Sequence, residues 1–241
     1  MSTAPITAIS ASNDEQIASR PATRATITIG THFLVDVFSF VGVSLMPLLA
    51  VTLGMSTEQK ALLLALGSLC SGVVQPIVAW VSDKFDTRVV GTLGFVVAVL
   101  CIGSFGLAQN FTQLAILYSV GAAGIGAFHP PAAAITGHLG GSKRSKYVAF
   151  FFLAGMVGGM TGNVLIPEYI AMMTPRVDGI PDTTSGLRSL LYLVPIGLLA
   201  AMVLAKATHS VGHRHNGAHA THTEWDSHEK RQRWFAVGVL Y

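Results

Sequence analysis

Two histidines and one aspartate stand in stretches of chain that otherwise suit lipid. His32 and Asp36 are four residues apart in Thr31-His32-Phe33-Leu34-Val35-Asp36, a spacing that puts both on one helix face. His129 precedes Pro130-Pro131 in a second apolar stretch. Imidazole titrates near neutral pH, and a carboxyl group withdrawn from water holds its proton more tightly. A His-Asp cluster opened alternately to two sides could therefore load and release a proton. An aspartate at the centre of a membrane helix costs about 2.5 to 3.5 kcal/mol, so its presence asks for a reason. The blander alternative has His32 snorkelling to the near interface and His129 satisfying carbonyls freed by the prolines. Gln75, next to Pro76, and Asn163 are further intramembrane polar groups that either line a path or brace helix contacts.

Positioning such groups requires spans, and the charge content supplies them. Only 11% of residues are Asp, Glu, Lys or Arg, against about 25% in soluble domains. Residues 89–142 are 54 consecutive positions with none of the four. As one helix they would stretch roughly 80 Å, so the run must hold two spans and reverse near Gln109-Asn110-Phe111-Thr112. Spans are predicted at 27–52, 61–82, 89–108, 113–136, 147–171 and 188–206, an all-α membrane protein built as a six-helix transmembrane bundle. The 25 glycines suit closely packed helices, and Gly155, Gly158, Gly159 and Gly162 share a face of the fifth span. Cys70 and Cys101 fall inside apolar spans and read as small hydrophobes.

Alternating sides for successive loops sort the basic residues twelve to three. Arg20, Arg24, Lys84, Arg88, Lys143, Arg144, Lys146, Lys206, Arg214, Lys230, Arg231 and Arg233 fall on one side, and Lys60, Arg176 and Arg188 on the other. This places the N-terminus in the cytoplasm. It also gives the net charge of +3 an orienting role, with no nucleic-acid partner expected. Counted from the cytoplasmic ends of their spans, His32 lies ~8 Å deep, Asp36 ~14 Å and His129 ~10 Å, so the three could meet at one level.

Outside the bundle (27–206), residues 1–26 read as a cytoplasmic tail without a secretory signal. Residues 207–233 form a loop whose His209, His213, His215, His219, His222 and His228 either gather divalent metal or belong to a solvated linker. The eight residues 234–241 are too few to cross ~30 Å and read as the start of a truncated seventh helix. The chain thus reads as the front half of something longer. No His-Glu-x-x-His pair or Gly-x-Ser-x-Gly elbow is present, so no enzyme, resident metal or cofactor is expected.

Between spans two and three lies Ala79-Trp80-Val81-Ser82-Asp83-Lys84-Phe85-Asp86-Thr87-Arg88. It resembles the cytoplasmic Gly-x-x-x-Asp-Arg/Lys-x-Gly-x-Arg/Lys signature of the major facilitator superfamily. Asp83, Lys84 and Arg88 match, while Ala79 and Asp86 replace the glycines. The resemblance implies that these three bias the access state, and that this is the N-terminal half of a twelve-helix carrier. The cavity would be lined by the first and fourth helices of each half. His32-Phe33-Leu34-Val35-Asp36, Gly126-Ala127-Phe128-His129-Pro130 and Gly140-Gly141-Ser142-Lys143-Arg144 are together similar to the fosmidomycin-resistance family of drug exporters. That branch implies drug efflux in a bacterial inner membrane. Span four lacks the arginine, and span five the Gly-Pro pair, that drug-proton antiporters of the superfamily often carry.

The leading expectation is therefore a secondary transporter embedded in the bilayer, exporting a small organic solute in exchange for protons through His32, Asp36, His129, Gln75 and Asn163. The alternatives are a divalent-metal exporter of the same fold and a non-transporting fragment that needs a second six-helix bundle to cover its polar face.

Overall fold

The computed structural model describes residues 20–82 and 88–209, the side chains of Ser82 and Arg88 excepted. The chain folds into α1 (Pro21–Ser44), α2 (Met46–Leu53), α3 (Thr57–Ser82), α4 (Arg88–Gly103), α5 (Phe111–Leu139) and α6 (Arg144–Met173). A hairpin of β1 (Arg176–Val177) and β2 (Ile180–Pro181) follows, and then α7 (Thr183–Arg188) and α8 (Val194–Thr208). Six helical stretches among the described residues are long and apolar enough to cross a membrane: Pro21–Ser44, Thr57–Val81, Val89–Leu107, Phe111–Leu139, Gly141–Met173 and Thr183–Thr208. This is the all-α six-span bundle that the charge-free runs require.

Helix ends follow local chemistry. Ser56 and Gln59 form a reciprocal capping box at the start of α3, the Gln59 N–H donating to Ser56 Oγ at 3.2 Å and the Ser56 N–H to Gln59 Oε1 at 3.0 Å. Asn110 caps α5 by accepting the Gln113 N–H at 3.0 Å, which places the reversal where Gln109-Asn110-Phe111-Thr112 suggests it. The first span departs from a single helix over 27–52. It starts at Pro21, and it breaks at Leu45 just before Pro47, whose ring cannot continue the hydrogen-bonding pattern. In its polar opening Thr26 and Thr28 satisfy their hydroxyls within the helix, donating to the carbonyls of Ala22 and Arg24 at 3.0 Å each. Arg24, placed in the cytoplasmic tail by the sequence reading, is buried and donates from Nε to the Ala207 carbonyl at 2.6 Å, tying the start of α1 to the end of α8. After the fifth span the chain turns through a tight hairpin. Asp178 (φ 53°) and Gly179 (φ 81°) both take the left-handed backbone that such a turn demands.

The long α1 packs on α6, α5, α8 and α4, while α3 lies against α5 and α8 against α4. The shared core runs through Val35, Phe38, Phe95, Val99, Phe128 and Phe151. Large apolar side chains on the far faces, such as Leu69, Ile77 and Trp80 of α3 and Ile196, Leu199 and Met202 of α8, are exposed, as a bundle solvated by lipid tails requires. Residues 1–19, Asp83, Lys84, the side chain of Arg88, all loop histidines after His209, and 234–241 lie outside what the structure describes.

Candidate functional site

The polar cluster forms where α1, α5 and α6 meet. Along α6, Gly155, Gly158, Gly159 and Gly162 face α1: a β-carbon on Gly158 would fall on the Phe33 carbonyl, and one on Gly162 would reach the Val37 carbonyl at 2.6 Å. Only hydrogen at these positions lets the two backbones approach so closely. Under this seam the chain brings together three of the side chains singled out by spacing. His32 Nε2 lies 3.3 Å from Asp36 Oδ2, and His129 Nε2 lies 3.4 Å from Asp36 Oδ1. The two imidazoles meet edge to face at 4.9 Å between centroids, and the His32 ring stacks on Phe151 at 3.8 Å.

Hydrogen bonds to backbone determine which ring nitrogens carry hydrogen. His32 Nδ1 is 2.7 Å from the Phe151 carbonyl oxygen and His129 Nδ1 is 2.7 Å from that of Ile125. A carbonyl oxygen only accepts, so each Nδ1–H donates. The neutral rings then present bare Nε2 lone pairs to a carboxylate that is itself only an acceptor. Nε2 of His32 is buried and, although close to Asp36, has no aligned hydrogen-bond partner. Three acceptor groups converge without a donor, an arrangement that one proton on either Nε2 or on the carboxyl relieves by making a charge-assisted contact. The Ile125 carbonyl lies one turn back from His129 and is not one of those that Pro130 and Pro131 deprive of an N–H, namely Gly126 and Ala127. The proline-bracing role considered for His129 is therefore not the contact it makes.

One ligand atom from each of these three residues lies within 4.8 Å of the other two, so the trio also offers ligands to a divalent cation. Three ligands leave one tetrahedral position open, and no fourth His, Cys, Asp or Glu joins them among the described residues.

Exposure separates the roles of the trio. The His32 side chain is 3% accessible, whereas Asp36 and His129 retain 17% and 22% and open onto a groove of about 480 Å³. Asn163 lines this groove with Phe40 and Met160, so it shares a surface with the trio. Gln75 does not. It lies in a second groove of about 300 Å³ between α1, α3 and α5, with Ser39, Ser68, Ser71 and Tyr118. There its Nε2 donates to Ser71 Oγ at 3.4 Å. Phe40 borders both grooves. The hydroxyl lining escaped the sequence reading because each serine is unremarkable on its own helix. The clue was Gly42 and Gly67, whose missing β-carbons make room for the two edges of the Tyr118 ring.

Comparison with known proteins agrees with this architecture. An MFS-type transporter of Bacillus subtilis (strain 168), YfnC, itself described as uncharacterized, is 27% identical over 171 residues, covering 69% of this chain and 41% of the relative. The chain thus spans less than half the length of that curated relative. The sequence profile of the Major Facilitator Superfamily matches residues 28–241. With six spans and a polar seam between the first and fourth of them, this chain belongs to the major facilitator superfamily.

Proposed function

We propose that this bundle is the proton-handling part of a secondary transporter that exports a small organic solute in exchange for protons. Membership of the superfamily makes it a membrane transporter by class. The observation that carries the proton assignment is the convergence of His32 Nε2, His129 Nε2 and the Asp36 carboxylate with no donor among them. Such a site is relieved by a proton and strained without one, as alternate loading and release require.

The neighbouring hydroxyl- and amide-lined groove is the solute position on this reading. With Ser39, Ser68, Ser71, Gln75 and Tyr118 and no ionised side chain in its lining, it suits a polar, uncharged region of the solute. Apolar side chains exposed beside the proton site, Phe152, Met156 and Met160, are covered by a second six-helix body that completes the cavity. Asp83, Lys84 and Arg88 bias the access state, and the twelve-to-three distribution of basic residues supports a cytoplasmic N-terminus.

The test is titration of the purified protein in weakly buffered detergent with a pH indicator. Asp36→Asn and His129→Ala are each expected to take up fewer protons than the unaltered protein. Identical proton uptake in both variants would overturn the assignment. Zinc binding that disappears in His129→Ala, with proton uptake unaffected, would instead make a divalent cation the cargo.

A further inference from the structure

A third groove, of about 570 Å³, lies between α1 and the start of α6 and shares no lining residue with the other two. Its lining is sorted along the helix axis. Lys143, Lys146 and Tyr147 stand at the end where α6 begins, and Phe150, Leu153 and Val157 follow, with Phe33 of α1 across from them. The lysines are exposed and no acidic residue lines the groove. Lys146 holds its ammonium 5.8 Å from the centre of the Phe150 ring, at the junction of the charged and apolar parts. From Lys146 to Val157 a helix rises roughly 16 Å, comparable with a leaflet's depth of hydrocarbon.

We infer that this groove binds one anionic phospholipid, its phosphate between Lys143 and Lys146 and an acyl chain along Phe150, Leu153 and Phe33. Charge complementarity selects the head group, since basic pockets between membrane helices attract anionic lipids. The apolar continuation selects a lipid over a free anion, which would leave Phe150 and Leu153 uncovered. Tyr147, with its aromatic body and polar tip, stands at the level where such residues meet head groups.

The experiment is native mass spectrometry of the full chain in neutral detergent, titrated with phosphatidylglycerol or with phosphatidylcholine of the same acyl chains. The unaltered protein retains one phosphatidylglycerol in preference to phosphatidylcholine. Lys143→Gln with Lys146→Gln lowers that retention about tenfold and leaves phosphatidylcholine unchanged. Ala154→Trp, which fills the apolar part without altering charge, lowers phosphatidylglycerol retention as well, while Arg176→Gln, remote from the groove, has no effect. Melting temperatures of the variants within a few degrees of the parent exclude misfolding. Equal retention of the two lipids, retention undiminished in both groove variants, or displacement of phosphatidylglycerol by inorganic phosphate at equal concentration would each overturn the inference.

Discussion

Gly155 of α6 stands against Asp36 of α1 with no room for a methyl group: a β-carbon there would land on the carboxylate oxygen Oδ2 and on the His32 ring. The absence of a side chain on one helix thus sets the geometry of a charged cluster on its neighbour. Gly155→Ala is expected to cost about 1 to 3 kcal/mol by overpacking and to abolish proton uptake. The check is the melting temperature in detergent together with the indicator titration; wild-type behaviour in both would show that α6 has slack at this point.

Phe40 borders both the groove that holds Asp36 and His129 and the hydroxyl-lined groove. Its truncation to alanine joins the two spaces and is expected to let protons pass without solute. A pH-sensitive dye trapped in proteoliposomes reports this as a leak above that of the unaltered protein, and an unchanged rate speaks against a dividing role.

Tyr118 is wedged between Gly42 and Gly67, each of which would collide with its ring if it carried a β-carbon. Gly67→Ala should destabilise the bundle by about 1 to 3 kcal/mol, whereas Tyr118→Phe keeps the packing and removes only the hydroxyl. Thermal unfolding that ranks the two variants in the opposite order would refute the wedge.

Arg24 contributes a buried hydrogen bond to the Ala207 carbonyl at 2.6 Å. Losing a bond of this charge-assisted kind costs about 1.5 to 3 kcal/mol, so Arg24→Ala should lower the melting temperature, with Arg24→Lys in between. Increased hydrogen exchange confined to residues near 207 would show which end of the tie loosens first.

Asp182 caps α7 from outside the spans. The Ser185 hydroxyl donates to its Oδ2 at 2.6 Å and the Ser185 N–H to its Oδ1 at 3.1 Å, and these bonds hold the carboxyl below its ordinary value of 3.8. A pKa lowered on folding stabilises above the unfolded value and loses that contribution as pH falls through the folded one. Asp182→Ala should therefore fray residues 183–188 at neutral pH, and the difference from the parent should vanish in acid below the carboxylate range. Hydrogen exchange measured at both pH values decides this.

The six spans were legible because lipid leaves so coarse a mark: a run with no ionised side chain can only be crossing and recrossing a bilayer. That His32 and Asp36 share a helix face was legible for an equally simple reason, the i to i+4 register of one helix, whereas their contact came only with the fold. The limits of the reading are local. Thr26 and Thr28 look polar, yet they return their hydroxyls to the turn before and so belong to α1. Pro47 did not announce whether it would bend the span or merely begin a turn, and the offset at Leu45 depends on how α2 packs. The glycines of α6 advertised close packing but not their partner, and the hydroxyl-lined groove is assembled from three helices whose register no single segment encodes.

The two imidazoles are tethered differently. His129 is held by Ile125 of its own helix, but His32 is held by Phe151 across the seam, 119 residues away in the chain. Any sliding of α6 along α1 therefore strips one ring of its anchor and leaves the other untouched. On the proposed reading, a shift between these two helices would reach the cluster through the His32 ring first.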